Sequence, residues 1–475
     1  MIQLRPYQQT AVDNIRHDFR QGKRKIILCA PTGAGKTIMF SYITQSAIKR
    51  NSPVLIITDR IELLTQAQGS LVNFNLHAAI LTAGSKEIPT DMLVVAMAET
   101  IKRRLGSAKK KDYLSWLKSF SLIIIDEAHK QSFSKIIDNL ESYQYLIGAT
   151  ATPSRKGRAA KQLSEHYDSI ITTLDIPELI EQGYLSSPDS YGNEIDLSNV
   201  RIDKGEFLKS DLSKVYGKLN TQLLDNYEKH AKGLKTVLFA ASVANSKAAK
   251  DEFIKAGYVA FHIDGETPIK ERREILAEYK NTNGAILCNA NIVNTGWDEP
   301  SVQCVILYRA TTSLSLFLQM VGRGSRVTDN KNKFTILDFG NNIQRFGFWE
   351  APRSWSLSHN IAGEGIAPTK FCPHCDAIIQ ASAKVCDYCG GQLTVSKKVQ
   401  LMELKKLTRD NIQNELEKAI KNKSWESLEN CIEAMNYRQT WAIYKLASNP
   451  EALRSYTKFK GWTPFYVKKI LKKKF

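Results

Sequence analysis

The chain has 475 residues, a length that predicts two to four domains. Apolar residues make up 43% and charged residues 24%, which is the composition of a globular protein with enough material for more than one core. No stretch approaches eighteen consecutive apolar residues, so the sequence excludes a membrane-spanning helix. The first residues also lack a basic segment followed by an apolar one, so we expect no secretory signal.

The charge of the chain is strongly basic and unevenly distributed. Lys and Arg outnumber Asp and Glu by 66 to 48, and the net charge of +18 favours a polyanionic partner, with nucleic acid as the leading candidate. Residues 391–475 alone hold 18 basic against 8 acidic side chains. Because aromatic residues interleave with this charge, we interpret the segment as a phosphate-binding surface, with a solvated tail as the alternative.

Five short apolar runs recur through the first third of the chain, with helix-length gaps between them. Continuous β-branched runs are typical of strands that are buried on both faces of a parallel sheet. The gaps at residues 37–50 and 62–73 carry helical patterns, so strands and helices alternate. The predicted strands are residues 25–30, 54–58, 93–96, 122–126 and 145–148.

A second set of five runs predicts a second α/β lobe, because two sheets of this size exceed one small core. The polar stretch at residues 188–210 lacks clear periodicity and is predicted to join the lobes. Residues 102–111 of the first lobe are basic, and either a flexible surface loop or a nucleic-acid contact would account for them. The second set of predicted strands is residues 236–240, 259–263, 285–288, 304–308 and 334–338.

A glycine-rich loop, APTGAGKT at residues 30–37, follows the first predicted strand and opens the first predicted helix. Gly33 and Gly35 allow backbone N–H groups to wrap a phosphate. Lys36 would reach the β- and γ-phosphates, and Thr37 would bind Mg²⁺. The strict pattern begins with Gly where this chain has Ala. A turn without a ligand is the alternative, which the flanking strand and helix disfavour.

A second group of candidate residues, Asp-Glu-Ala-His at residues 126–129, ends the fourth predicted strand. Acids at the carboxyl end of a parallel strand lie where open α/β sheets bind their ligands. Asp126 is predicted to hold the Mg²⁺ that Thr37 also contacts, and Glu127 to orient or deprotonate a water aimed at the γ-phosphate. A helix cap with exposed charges is the alternative, which the upstream glycine-rich loop disfavours.

Four of the eight cysteines form the pattern C-x2-C, a ten-residue gap and C-x2-C. In a chain without an export signal this pattern favours a metal site over disulfide bonds. Four thiolates suit a tetrahedral structural Zn²⁺ and leave no open position for catalysis, while four separate reduced thiols remain the alternative. The predicted ligands are Cys372, Cys375, Cys386 and Cys389.

The C-terminal extension, residues 394–475, is predicted to be mostly helical. Most of its aromatic side chains are expected to build a small core, and one or two to stack on bases or to wedge at a nucleic-acid junction. These side chains are Trp425, Trp441, Tyr456, Phe459, Trp462 and Phe465.

The glycine-rich loop and the Asp-Glu-Ala-His segment carry a resemblance to a known family. Over roughly residues 1–350 the chain resembles the superfamily 2 helicases of the DEAH-type DNA group, near the RadD-like, XPB-like and phage UvsW-like proteins. The resemblance to the RadD-like proteins extends to the cysteine cluster. It implies an α/β fold of two tandem RecA-like parallel-sheet domains, followed by a small zinc ribbon and a helical extension. The implied cofactors are ATP, Mg²⁺ and a structural Zn²⁺.

Residues at the start of the chain match the nucleotide-binding segments of that family. The sequence LRPYQ resembles the adenine-recognising segment, in which Arg5 and Gln8 would contact the base. Within the glycine-rich loop the resemblance adds Thr32 and Ala34 to the nucleotide contacts. A base-reading segment and a phosphate loop together imply an ATP site in the first lobe.

Two further segments of the first lobe resemble motifs that serve the nucleic acid. ITDRIELL resembles motif Ia and implies that Arg60 lies near the nucleic-acid track, although Asp59 stands where the family often has His. GATATP resembles motif III, whose Thr150 and Thr152 would link the ATP state to the grip on nucleic acid.

The second lobe continues the resemblance with motif IV (LFAASVAN), motif V (NTGWDEP) and motif VI (QMVGRGSR). Motif V assigns Gly296 and Asp298 to the nucleotide. A developing γ-phosphoryl charge needs cations from across a cleft, and arginines supply them bidentately. Arg323 and Arg326 are therefore the expected arginine fingers, with Gln319 touching the water or the γ-phosphate. A surface pair of arginines on a helix is the alternative.

Together these motifs predict an ATP-dependent DNA helicase or translocase of DNA repair, recombination or replication. The expected setting is the cytoplasm of a bacterium or of a phage-infected host, away from membranes. The expected partner is single-stranded, forked or branched DNA, with a single-strand-binding or recombination protein as a further candidate. An RNA-dependent ATPase and an ATP-driven clamp without strand separation remain alternatives. The expected domains are residues 1–185, 186–355, 366–393 and 394–475.

Overall fold

The computed structural model divides the chain into two compact units, Met1–Leu393 and Thr394–Phe475. No helix in its described part is long and apolar enough to cross a membrane. It describes residues 3–153, 163–192, 195, 197, 200–203, 205–290, 292–293, 297–357, 369–375, 377–380, 383–393, 418–434, 442, 446–447, 449–463 and 467.

The first lobe is built on a seven-stranded sheet in which every pairing is parallel. Its strands are β1 (Lys25–Cys29), β2 (Val54–Thr58), β3 (Ala79–Leu81), β4 (Leu93–Met97), β5 (Leu122–Asp126), β6 (Tyr145–Thr150) and β7 (Ser169–Thr172). Their spatial order is β3-β4-β2-β5-β6-β1-β7, so the five predicted strands form the continuous centre. The sequence missed only the outermost two, which are short and incompletely buried.

Helices cover both faces of this sheet. They are α1 (Pro6–Arg20), α2 (Lys36–Ile48), α3 (Ile61–Val72), α4 (Ala98–Leu105), α5 (Lys110–Lys118), α6 (Ser134–Ile137) and α7 (Ile176–Glu181). Along β1, Ile26 and Leu28 pack into the core under α1 to α3, whereas Ile27 and Cys29 pack into the core under α4 and α5. The basic segment at residues 102–111 is helical at both ends, in α4 and α5, and only residues 106–109 form a turn between them.

The second lobe has a six-stranded sheet, again with every pairing parallel. Its strands and one separate hairpin are β8 (Ser187–Gly192), β9 (Ile202–Asp203), β10 (Glu206–Phe207), β11 (Thr236–Ala240), β12 (Ala260–Ile263), β13 (Ile286–Asn289), β14 (Cys304–Tyr308) and β15 (Lys333–Asp338). The sheet order is β12-β13-β11-β14-β15-β8, and β9 pairs with β10. The prediction of two parallel-sheet α/β domains is confirmed, and we propose their boundary at residues 185–186.

Among the described residues of the second lobe, six helices surround the sheet. They are α8 (Lys209–Tyr216), α9 (Asn220–His230), α10 (Val243–Lys255), α11 (Ile269–Asn281), α12 (Leu314–Val321) and α13 (Asn342–Phe346). The prediction that residues 188–210 only join the lobes is wrong, because β8 pairs with β15 along its whole length and α8 begins at Lys209. The polar sequence of β8, with Pro188 in it, is tolerated because this strand lies at the edge of the sheet.

The cysteine segment folds as a small ribbon against the edge of the second sheet. Its hairpin is β16 (Thr369–Phe371) and β17 (Ile378–Gln380), which pair antiparallel. Tyr191 of β8 forms a backbone bridge with Ala377, and its ring lies 5.9 Å from that of Tyr388. Ile378 joins the main hydrophobic core of the lobes. The ribbon therefore covers a strand edge that would otherwise be open.

The C-terminal unit contains α14 (Trp425–Ala434) and α15 (Pro450–Phe459) in its described part. Leu428, Leu446 and Tyr456 are buried there, with Trp425 and Trp462 packed against them, so the expectation of a small helical core is confirmed for these residues. Phe459 remains 52% exposed. Trp441 and Phe465 lie outside the described residues.

Candidate nucleotide site between the two lobes

The glycine-rich loop connects β1 to α2 in a conformation that requires its glycines. Gly33 and Gly35 have φ angles of +92° and +79°, in the left-handed region that glycine adopts without steric cost. Gly35 is also the N-cap of α2, so the unpaired N–H groups of the helix start lie at the loop. A Cβ on Gly35 would collide with the amide of Gln8, so a larger residue would displace that side chain. This arrangement suits a bound phosphate.

Lys36 stands at the first position of α2 and folds back over its own loop. Its Nζ donates hydrogen bonds to the carbonyls of Ala30 at 3.0 Å and Pro31 at 3.4 Å. Burial lowers the pKa of Lys36, Glu127 and Asp126 raise it, and Arg326 lowers it. These charges from both lobes thus surround one ammonium group, next to the loop that would hold a phosphate.

Residues near the start of the chain form hydrogen bonds to the glycine-rich loop. Gln8 Nε2 and the Tyr7 hydroxyl donate hydrogen bonds to the Ala34 carbonyl at 3.0 and 2.9 Å. The Arg5 guanidinium lies 4.7 Å over the ring of Tyr184. Sequence reasoning missed Tyr184, because no local pattern connects it with a residue 179 positions earlier. Contact of Arg5 and Gln8 with a base stays a prediction.

Asp126 and Glu127 lie at the carboxyl end of β5, beside the loop, and both are buried. Asp126 Oδ1 accepts a hydrogen bond from the Glu127 backbone N–H at 3.0 Å. Burial and the neighbouring Glu127 raise the pKa of Asp126 to about 7, whereas Lys36 lowers it. Adjacent buried carboxylates carry excess negative charge that a hard divalent cation would neutralise. Thr37 is the second residue of α2, directly after Lys36. Its hydroxyl and the carboxylate of Asp126 are oxygen donors of the kind that fits Mg²⁺.

Helix α12 brings the second lobe into contact with these carboxylates. Gln319 Nε2 donates a hydrogen bond to Glu127 Oε2 at 3.1 Å. The glycine at position 322, just beyond the helix, packs so closely that an added Cβ would lie 2.7 Å from Thr32 Cβ. The lobes are therefore closed on each other at the candidate site, with motif VI against the glycine-rich loop.

The two candidate arginine fingers follow Gln319 on the same side of the cleft. Arg326 Nε pairs with Asp298 Oδ1 at 3.0 Å, and an added Cβ on Gly33 would lie 3.6 Å from Arg326 Nη1. Arg323 donates to the Trp297 carbonyl, and burial lowers the pKa of Arg323 to about 9. Arg326 therefore lies close to the phosphate loop. Gly296, also predicted to contact the nucleotide, lies outside the described residues.

A chain of polar contacts leads from Glu127 to the second lobe by another route. His129 Nδ1 lies 3.3 Å from Glu127 Oε2 and 2.8 Å from Thr150 Oγ1. Thr150 Oγ1 accepts from the Thr152 backbone N–H at 3.1 Å, and Thr152 Oγ1 donates to Ser315 Oγ at 2.7 Å. Both threonines are buried and connect the lobes here. Their contact with nucleic acid stays a prediction. Sequence reasoning missed Ser315.

A separate cleft of about 510 Å³ opens at the carboxyl ends of β2, β3 and β4. Arg60 precedes α3 at this end of β2, and Asp59 pairs with Lys130. Arg103 and Arg104 of the basic segment line the cleft together with Glu99, which pairs with Arg103, so the lining carries a net positive charge. Its lining consists of Ile61, Thr82, Ala83, Met97, Glu99, Thr100, Arg103 and Arg104.

The four cysteines of the ribbon converge on one point. Their sulfur atoms all lie within 4.8 Å of one another, with 3.7 Å between Cys372 and Cys389 and between Cys375 and Cys386. A disulfide needs sulfurs about 2.05 Å apart, whereas a tetrahedral zinc with bonds of about 2.3 Å separates them by roughly 3.8 Å. The donor set and its spacing therefore fit Zn²⁺.

Comparison with known proteins places both lobes in described families. Residues 1–155 match the family described as Type III restriction enzyme, res subunit, and residues 218–328 match the Helicase conserved C-terminal domain. A 51.5 kDa protein of a Lactococcus phage is 30% identical over 385 residues, which cover 79% of this chain and 80% of that protein.

Two further relatives extend the comparison. The Saccharomyces cerevisiae protein IRC3, whose name assigns it to the ATP-dependent helicases, is 32% identical over 71% of this chain and 51% of its own length. An HsdR-type subunit fragment of a Vibrio vulnificus type I restriction enzyme has the same fold, with a TM-score of 0.57, 23% identity and coverage of 72% of this chain and 65% of that fragment. The chain thus spans about half of IRC3. It belongs to superfamily 2 of the helicases, the family that the sequence motifs resemble.

Proposed function

We propose that this chain is a DNA translocase or helicase of the DEAH group that hydrolyses ATP between its two lobes. The observation that carries the proposal is the hydrogen bond from Gln319 to Glu127 across the cleft, beside the glycine-rich loop. It joins the carboxylate at the centre of the first-lobe site to the helix that precedes both candidate arginine fingers. A site with parts from both lobes works only when they close, which couples chemistry to movement.

Each buried charge then has a role in phosphoryl transfer. Lys36 releases the carbonyls of its own loop and pairs with the β- and γ-phosphates, while Thr37 and Asp126 hold Mg²⁺. Glu127 orients the attacking water and accepts its proton. Arg326 neutralises charge that develops on the γ-phosphoryl oxygens, and Arg323 shares this role.

The chain of polar contacts through motif III supplies the coupling to nucleic acid. When the γ-phosphate is lost, the side chain of Glu127 can reorient. This changes its contact with His129, and through His129 the position of Thr150. Thr152 and Ser315 carry it to α12 of the second lobe. A strand lying over the cationic cleft of the first lobe and over the second lobe is gripped in one nucleotide state and released in the other.

DNA is the proposed substrate because the first lobe matches a restriction-enzyme family, and restriction enzymes act on DNA. The net charge of +18 and the arginines of the 510 Å³ cleft suit a polyphosphate backbone without distinguishing DNA from RNA. Repair, recombination or replication in a bacterial or phage-infected cytoplasm is the proposed setting, with a single-strand-binding or recombination protein as a candidate partner.

The test is ATP turnover measured with single-stranded, duplex and forked DNA and with RNA of matched length. Stimulation by at least one DNA form, together with ATP-dependent strand displacement or translocation, is the expected result. Stimulation by RNA alone would mean that the substrate is RNA and not DNA. Turnover without any movement on DNA would leave an ATP-driven clamp as the function.

A further inference from the structure

A buried lysine lies just behind the arginine fingers. Lys331 precedes β15 and is only 7% exposed. Its Nζ donates three hydrogen bonds, to the carbonyls of Pro300 at 2.8 Å, Val302 at 2.6 Å and Gly324 at 2.9 Å. Burial, and then Arg326, lower the pKa of Lys331 to about 7. The three carbonyl acceptors suit the ammonium form, whose three N–H donors are then all used on the backbone.

The three carbonyls belong to two segments of the second lobe, which Arg323 and Arg326 also connect through Trp297 and Asp298. Pro300 and Val302 follow Asp298, which pairs with Arg326. Gly324 lies in the loop between Arg323 and Arg326, which leaves α12. Lys331 thus connects residues 298–302, which include the partner of Arg326, to residues 323–326, which include both arginines. The backbone hydrogen bonds between Thr328 and Lys331, in both directions, hold the lysine itself in a tight turn.

We infer that Lys331 is a positioning residue for ATP hydrolysis, which fixes motif V against motif VI so that Arg323 and Arg326 are aimed at the nucleotide. This inference rests on the proposed function of the same site. Hydrogen bonds from a charged donor are roughly twice as strong as neutral ones, so three of them hold the two backbone segments firmly together. Misplacing a catalytic cation by about 1 Å costs on the order of 100-fold in rate. Accurate placement of the arginines can therefore outweigh the free-energy cost of burying Lys331.

A general role in stability is the alternative, since a buried ammonium that loses its partners is costly anywhere. The two roles differ in what they change. Loss of a positioning residue lowers kcat while the nucleotide still binds to the first lobe. Loss of a stabilising residue lowers the melting temperature and leaves the remaining folded enzyme with its normal kcat.

The experiment compares Lys331→Met, which keeps the length and removes all donors, with Lys333→Met as a matched control. Lys333 lies two residues further along, with its side chain 64% exposed, and pairs with Asp189 at 3.6 Å. For Lys331→Met we expect kcat of DNA-stimulated ATP turnover to fall at least tenfold, with the Kd of a fluorescent ATP analogue within threefold. Lys333→Met is expected to match the parent protein in both measurements.

Dependence on the arginines is tested with Arg326→Ala, alone and combined with Lys331→Met. If the lysine acts through Arg326, the double variant is expected to be no slower than Arg326→Ala alone. Should Lys331→Met not fold, Lys331→Gln, which keeps two N–H donors, replaces it with a smaller expected loss. Parent-like kcat in a folded Lys331 variant, or fully multiplicative losses in the double variant, would overturn the inference. An inactive parent protein would instead remove the proposed function.

Discussion

Gln319 of the second lobe donates a hydrogen bond of 3.1 Å to Glu127 of the first lobe. The two residues are 192 positions apart, and both are buried. Glu127 has a φ of +55°, which a non-glycine residue adopts only where surrounding structure enforces it. The carboxylate proposed to orient water is therefore held in place partly by the opposite lobe, so separation of the lobes would dismantle the hydrolytic site.

Replacement of Glu127 by Gln tests its role in water activation. The amide keeps the size of the side chain but accepts no proton, so we expect ATP turnover to fall 100-fold or more with ATP binding retained. Lys36→Ala is expected to abolish turnover by weakening the phosphate grip. Both variants should bind DNA nearly as the parent does. Turnover assays with fluorescence-anisotropy binding check this, and near-normal turnover by either variant contradicts the site assignment.

Thr152→Ala tests the route from the nucleotide to the second lobe, because it removes the hydroxyl that donates to Ser315. ATP turnover is expected to remain within about tenfold of the parent rate, whereas base pairs separated or translocated per ATP should fall further. Thr65→Ala, an exposed threonine of α3, is the control and should change neither quantity. Equal losses of turnover and movement by Thr152→Ala would show that the contact serves hydrolysis only.

Glu62 and Arg272 form a second contact between the lobes, with Glu62 Oε1 and Arg272 Nη1 2.9 Å apart. Arg272 also donates to the Asp264 and Thr267 carbonyls, which fixes its guanidinium. We expect Glu62→Ala and Arg272→Ala each to lower kcat/KM for ATP several-fold in the presence of DNA. A double-mutant cycle should return a coupling of about 1–2 kcal/mol.

The control for that cycle is the exposed pair Glu252 and Lys255, 2.8 Å apart within α10. Exposed pairs of this kind contribute about 0.2–1 kcal/mol, so its removal should leave turnover unchanged. Additive effects of the Glu62 and Arg272 variants would mean that closure does not depend on their ion pair.

Metal analysis tests the ribbon. We expect one zinc per chain, lost in Cys386→Ser and kept in Cys29→Ala, whose thiol is buried in the first lobe. Because the ribbon covers the edge of β8, loss of zinc should increase hydrogen exchange at residues 187–192. Zinc far below one equivalent in the parent protein would contradict the metal site. Unchanged exchange in Cys386→Ser would show that the zinc-bound ribbon does not stabilise β8.

Deletion of residues 394–475 tests the basic extension, which forms a compact unit of its own and holds 18 basic against 8 acidic residues. We expect weaker DNA binding and a shallower dependence of log Kd on log salt, because fewer phosphates are neutralised. Turnover of ATP at saturating DNA should persist. Unchanged affinity and salt slope would leave the extension without a role in DNA binding.

The sequence predicted what local patterns encode. Continuous apolar runs identified ten strands, of which nine lie inside a sheet and β12 lies at an edge. Burial on both faces leaves the inner strands little choice of residue. The edge strand β8 was missed because half of its side chains are incompletely buried and its sequence, SPDSYG, is polar. Tyr184, Ser315 and Lys331 were missed for another reason. Their partners are distant in sequence or are backbone carbonyls, and neither kind of contact produces a recognisable spacing of residues in the sequence.

The central claim is that the second lobe completes the hydrolytic site with arginine. Single-turnover hydrolysis by Arg326→Ala, at a concentration where ATP binding is saturated, tests it most directly. An arginine finger contributes on the order of 1,000-fold or more to the rate, so we predict a hydrolysis step at least 100-fold slower than in the parent, with the Kd for ATP nearly unchanged. Hydrolysis at the parent rate would contradict the account.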